Sequence, residues 1–150
     1  MRQAVAAARI WWTRAMWMRI AVLTGLTSVL ILTGANSSGL DPAMAAKLRL
    51  GAQVQFMHGM VVFSCATFMN IGARDARHAP AFLFTGMLLY CVPAYLAAVL
   101  GGEPSGLVQG LGIFTLGIGW AVLAWASREI DFSGEQAHAY FNSEQPAPVE

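Results

Sequence analysis

Charge is what this sequence has least of. Of its 150 residues only 11% are Asp, Glu, Lys or Arg, while 57% are hydrophobic. An ordinary soluble domain carries roughly 25% charged residues, and a water-facing surface needs about a quarter to a third. The shortage excludes a single small water-soluble domain, the default for this length. Most of the surface must meet something other than water. Cysteine is scarce too. Cys65 and Cys91 both fall inside apolar stretches, which argues against a disulfide framework and for two buried free thiols. There is no C-x-x-C pair and no Cys/His cluster, so neither a metal nor another cofactor is expected. Acidic residues are missing before Asp41, although Arg2, Arg9, Arg14 and Arg19 lie there. Five of the eight acids (Glu129, Asp131, Glu135, Glu144, Glu150) crowd into the last 22 positions. The arginines flank apolar runs and do not line a soluble face, which argues against a nucleic-acid partner.

What the sequence does have is long apolar runs, at about 17–35, 50–72, 79–100 and 107–127. Each supplies roughly the 20 residues needed to cross a hydrocarbon core about 30 Å thick. None holds Asp, Glu, Lys or Arg beyond its first few positions. A helix is the single-segment solution that satisfies the backbone in lipid. The expected fold is therefore all-α: an integral membrane four-helix bundle with short antiparallel connections. Residues 1–16 form a basic, Trp-rich interfacial segment, 17–127 the four-helix domain, and 128–150 a polar acidic tail. Thr33-Gly34-Ala35 loosely resembles a signal-peptide cleavage site, and the acid-free, Arg-rich start resembles a mitochondrial transit peptide. The long basic region with Trp11, Trp12 and Trp17 fits an interfacial segment better.

The connections carry turn chemistry. In Asn36-Ser37-Ser38-Gly39-Leu40-Asp41-Pro42, Asp41 is a good N-cap and Pro42 suits a first helical position. A helix is expected to begin there and run into the second span. Residues 72–78 read as a short polar loop, and 101–106 as a tight turn. Ser133 and Gln136 suggest a capping box for a short tail helix, and Pro146 and Pro148 a disordered end. Arg2, Arg9, Arg14, Arg19, Arg74, Arg77 and Arg128 share one side, against Lys47 and Arg49 on the other. The positive-inside rule then puts both termini in the cytoplasm of a bacterium, with the mitochondrial inner membrane as the alternative.

His58 is the first candidate for chemistry, because an ionisable group at membrane depth is functional by default. Gln55 lies three residues earlier and Cys65 seven later, on one helix face, so Gln55 is placed to hydrogen-bond the imidazole. A structural histidine bonded to a neighbouring helix fits the same pattern. Pro93 should kink the third span and leave a carbonyl near Leu89 in need of a donor, which a hydroxyl of nearby Tyr90 or Tyr95 or a neighbouring helix would supply. In the fourth span Gly110 and Gly117 are seven apart, as are Gly112 and Gly119, and Gly117 with Ala121 has small-xxx-small spacing. This stripe predicts close helix packing. Gly110-Leu111-Gly112 follows no strand, so it is not a dinucleotide fingerprint. Gln53, Asn70 and Gln109 lie towards span ends, where water can solvate them.

Gln55-Phe56-Met57-His58 resembles the Gln-x-x-His of the small bacterial membrane family called domain of unknown function number 423, itself related to the eukaryotic transmembrane protein 256 family. Tyr95 falls where that family has a Tyr. Gly112 and Gly119-Trp120 are similar to its Gly-rich stretch and Gly-Trp ending. The resemblance covers residues 20–127 and implies the four-span fold, without an assigned activity. The chain departs from the family pattern after the first span. There Gly34-Ala35-Asn36-Ser37-Ser38-Gly39 lacks the family's histidine. Gln53 stands in place of a usual Arg, and Gly110 in place of a usual Pro.

The expected function is a non-enzymatic accessory or structural subunit of a larger membrane complex, a respiratory one included. Its expected partners are the lipid bilayer and either other membrane subunits or further copies of itself. The alternative is a small oligomeric transporter or channel with His58 and Gln55 lining the path, candidates to which Tyr95 is added. A membrane enzyme or a haem or quinone protein ranks below both.

Overall fold

A computed structural model describes residues 13–37 and 39–130. Residues 1–12, with Trp11 and Trp12, lie outside the described residues. So do residues 131–150, with the Ser133/Gln136 cap and the Pro146 and Pro148 end. The described chain is helical without a strand: α1 is Arg14–Gly34, α2 Pro42–Asn70, α3 Ala79–Leu100 and α4 Gly106–Ala126. A 3-10 turn, Arg74–His78, joins α2 to α3.

Local chemistry sets the helix starts and stops. Thr13 caps α1, its hydroxyl accepting from the Met16 amide at 3.4 Å. Asp41 caps α2 more firmly, accepting from the amides of Ala43 at 3.0 Å and Met44 at 3.1 Å, with Pro42 in the first turn. These contacts satisfy amides that no preceding turn can serve. α2 therefore runs unbroken for 29 residues. α3 ends at Gly101, whose φ of +78° is open to glycine at little steric cost.

Among the described residues, three stretches are long and apolar enough to cross a membrane: Arg14–Gly34, Arg74–Leu100 and Gly106–Ile130. α2 is long enough but is not among them. It carries Gln53, Gln55 and His58 within six positions, and these lower its mean hydropathy. Of the four runs expected to cross, the second is thus less apolar than the other three.

Each helix packs chiefly on the next in sequence, antiparallel to it. Buried positions repeat at spacings of three and four: Trp17, Ala21, Thr24 and Ser28 in α1, and Gly112, Leu116, Gly119, Leu123 and Ala126 in α4. That rhythm belongs to knobs-into-holes packing. The residue types are inverted relative to a soluble bundle. Small residues fill much of the inside, among them Ala21, Ala52, Cys65, Ala66, Ala94 and Ala98. Large apolar ones point out, as with Leu23, Leu26 and Leu30 of α1 and Ile113 and Phe114 of α4. Where the surroundings are as apolar as leucine, close approach of small residues holds helices together better than leucine does.

Residues 72–78 are not the plain polar loop expected. Ala73, Ala76 and Ala79 are 0% exposed, and the turn packs on α2, α3 and α4. Their spacing of three is the 3-10 period, which stacks them on one side and leaves Arg74 and Arg77 outside.

Candidate functional site

Polar groups of three helices meet at Gln55 of α2: Thr24 and Thr27 of α1 and Tyr95 of α3. The Gln55 side chain is 8% exposed and lies between α1 and α3. Nε2 donates to the Thr24 carbonyl at 3.0 Å and to the Thr27 hydroxyl at 2.7 Å. Oε1 accepts from the Tyr95 hydroxyl at 2.7 Å. The orientation of the amide is determined, because a backbone carbonyl can only accept. Thr27 passes its own proton to the Leu23 carbonyl at 2.9 Å, or to that of Thr24 at 3.0 Å. One amide therefore ties three helices together.

Backbone openings make room for it. The Tyr95 ring lies across Gly51, where a Cβ would stand 2.5 Å from Tyr95 Cε1. Gly59 faces Thr24, where a Cβ would stand 3.1 Å from Thr24 Cγ2. Gly51, Gln55 and Gly59 are four residues apart, so they fall on one stripe of α2. Beside them the Cys91 thiol lies 3.4 Å from the Gly51 carbonyl oxygen. This seam uses residues that the sequence reading passed over: Thr24, Thr27, Gly51 and Gly59. The spacing Gly51-xxx-Gln55-xxx-Gly59 against Thr24-xx-Thr27 was the signal available.

His58 does not bond to Gln55. Its Nδ1 lies 2.8 Å from the Val54 carbonyl oxygen of its own helix. Since that oxygen must accept, Nδ1 carries a proton. The ring is half-buried and meets Trp120 of α4 edge-on, centroids 6.4 Å apart at 76°. A step of three residues turns a helix by about 60° short of a full circle. That turn sends Gln55 towards α1 and α3, and His58 towards α4. The shared polar pair expected from the sequence is thus two separate features. Cys65, 0% exposed, is buried among apolar neighbours. No group of three His, Cys, Asp or Glu able to hold a metal ion occurs among the described residues.

The glycines at 110, 112, 117 and 119 of α4 divide as well. A Cβ on Gly112 would stand 2.8 Å from the Tyr90 nitrogen and 2.9 Å from the Gly86 carbonyl oxygen. On Gly119 it would stand 2.7 Å from Leu83 Cγ. Gly110 and Gly117 have nothing within 4 Å. The expected single stripe is two, because positions two apart on a helix differ by about 200°. The partner glycine in α3, Gly86, was not singled out from the sequence. A Cβ there would stand 2.7 Å from the Leu116 nitrogen.

Pro93 lies within α3, and close to it Gln109 Nε2 of α4 donates to the Tyr90 carbonyl at 3.3 Å. That acceptor is one residue beyond Leu89, whose carbonyl loses its helical donor at the proline, and the bond comes from a neighbouring helix, while the Tyr95 hydroxyl serves Gln55. Gln109 is therefore bonded within the fold and not merely solvated at a span end. Asn70 is bonded too, its Oδ1 accepting from the Arg14 guanidinium. Gln53 is exposed and borders a shallow apolar hollow with Ser28, Val29, Leu32, Ala52, Phe56 and Met57. No family model, curated protein or solved structure matches the chain.

Proposed function

We propose that the chain crosses the bacterial inner membrane four times, with both termini cytoplasmic, as a non-enzymatic accessory subunit of a larger membrane complex. On this reading it is a divergent relative of the small four-helix family that its motifs resemble. Topology supports counting α2 as a span. α1 and α3 run in the same direction, so the chain must return between them, and α2 packs along both. Composition counts Gln55 as a full cost, yet its amide is bonded inside the fold, which removes most of the penalty of burying it. Arg14, Arg19, Arg74, Arg77 and Arg128 gather at one end of the helices. At the other, Lys47 pairs with Glu103 at 3.0 Å, and Arg49 donates to Asn36 Oδ1 at 2.8 Å. That asymmetry supports the orientation.

The observation that carries the subunit reading is the outer face of α4. Gly110, Gly117 and Ala121 make an exposed strip of small residues on a helix whose other face is already filled by α3. A path lined by both His58 and Gln55 has less support, because the two side chains point to different helices and the polar atoms of Gln55 are spent on Thr24, Thr27 and Tyr95.

Extraction of the tagged protein from its native membrane in mild detergent tests the reading. A partner chain at fixed stoichiometry is expected, and Gly117→Leu should release it while the protein itself stays folded. A protein that is monomeric at native abundance and brings nothing with it overturns the proposal.

A further inference from the structure

We infer that the groove down α1, from Arg14 to Leu23, holds one anionic phospholipid. The inference rests on the membrane reading above and adds a ligand and a site to it. Two adjoining hollows share Met18. The outer one, of about 410 Å³, runs between the start of α1 and the end of α2 and includes Arg14, Thr67 and Asn70. The inner one, of about 400 Å³, has walls from Arg19, Val22, Leu23 and Phe63.

The outer hollow suits a phosphate diester. The Arg14 guanidinium is anchored on Asn70 Oδ1, which leaves other N–H groups of its fork for an oxyanion. Arg14 is the first residue of α1, and Arg19 lies five further on. Arg14, at the positive end of the helix with no acid in the first turn, is repelled by the helix dipole. A bound anion reverses that cost. Among the described residues, the acids at this end of the molecule, Asp75 and Glu129, do not line the groove. They meet at another corner, where Glu129 Oε2 accepts from the Asp75 amide at 3.1 Å. Arg74, Arg77 and Arg128 also lie outside the groove.

The inner hollow suits an acyl chain. Leu23 lies nine residues from Arg14, about 14 Å along the helix axis, which places it inside the hydrocarbon. Arg19 can lay its stem along the apolar wall and raise its head towards the phosphate. A free phosphate would leave this inner part unused. A zwitterionic lipid would bring its own cation against two arginines. The anionic lipid fits both halves.

Native mass spectrometry of the full chain, with phosphatidylglycerol or phosphatidylcholine of identical acyl chains, tests the assignment. One phosphatidylglycerol per chain is expected, preferred by at least about tenfold, in keeping with charge-assisted contacts. Arg14→Gln with Arg19→Gln should abolish the preference, and Leu23→Asn should weaken both lipids alike. Arg77→Gln with Arg128→Gln removes the same charge elsewhere and should change nothing. Thermal melts establish that each variant is folded. Equal retention of the two lipids, an equal effect of the Arg77/Arg128 pair, or displacement of the lipid by inorganic phosphate overturns the inference. Insertion into vesicles is scored separately. A chain that inserts without lipid preference refutes the lipid site alone, whereas one that fails to insert refutes the membrane reading beneath it.

Discussion

The two sides of α3 are held in opposite ways. On one side α3 meets α2 and, through it, α1 by means of a buried amide: Gln55 joins Thr24, Thr27 and Tyr95. On the other side α3 meets α4 backbone to backbone, with Gly86 and Gly112 each leaving room where a Cβ would reach the other's carbonyl oxygen. The first contact is directional and polar. The second is close packing, with a single side-chain bond, from Gln109, at its edge. On the membrane reading proposed above, burying more apolar area gains little, so two other sources of attraction take over. Hydrogen bonds fix register where three helices converge. Dispersion, which falls steeply with distance, holds the pair that comes closest.

The glycine seam should break hardest. Gly112→Leu drives a side chain into backbone that cannot yield, and a loss of about 3 kcal/mol is expected. Unfolding of the purified protein in mixed micelles with rising dodecyl sulfate measures it. A loss below about 0.5 kcal/mol, the range of uninvolved surface sites, would show that α3 and α4 are not this close. The polar seam should cost less. Gln55→Leu is expected to lose about 1–2 kcal/mol, as interhelical hydrogen bonds in membranes do. A second change, Tyr95→Phe, should then cost almost nothing further, because its acceptor is already gone. If the two losses simply add, the amide and the phenol act independently and the network is not one unit.

Much of this architecture was legible in the sequence, for physical reasons. Length and apolarity mark helices, and the Asp41-Pro42 cap showed that α2 begins well before its apolar run. Gln55 and Tyr95 were visible as polar residues with few places to go. The rest was hidden by rotation. Reading Gln55 with His58 treated a three-residue step as a shared face, although the two side chains reach different helices. Reading four glycines of α4 as one stripe ignored that a two-residue step crosses to the far side. Gly86 and Gly51 stayed invisible because a lone glycine gains meaning only from what crosses it. The alanines at 73, 76 and 79 carried a period of three, masked by the arginines between them.

A smaller effect is expected at the end of the molecule opposite the arginine cluster. Lys47 joins α2 to the loop after α3, donating to the Gly102 carbonyl at 2.8 Å and pairing with Glu103 at 3.0 Å. The Glu103 side chain is 85% exposed and that of Lys47 30%. Exposed pairs of this kind contribute about 0.2–1 kcal/mol. Glu103→Gln should therefore fall in the lower part of that range, and the difference should vanish in high salt. A larger or salt-insensitive loss would mean that this pair, and not Gln55, holds α2 against the far end of α3.

The smallest effect, at Gly117, is the most discriminating when it is set against Gly119 of the same helix. At Gly119 an added methyl would stand 2.7 Å from Leu83 Cγ and 3.0 Å from the Leu83 backbone nitrogen, so Gly119→Ala must push α3 away. At Gly117 the same methyl meets nothing within 4 Å. There alanine brings only its better helix propensity, at most about 1 kcal/mol in its favour. Gly117→Ala should leave stability of the isolated chain unchanged or slightly raised, while Gly119→Ala lowers it. Detergent unfolding of the two variants side by side gives the sign directly. Equal losses would mean that α4 is gripped on both faces within one chain. The outer strip would then be part of the fold's own packing, with no face left over for a partner.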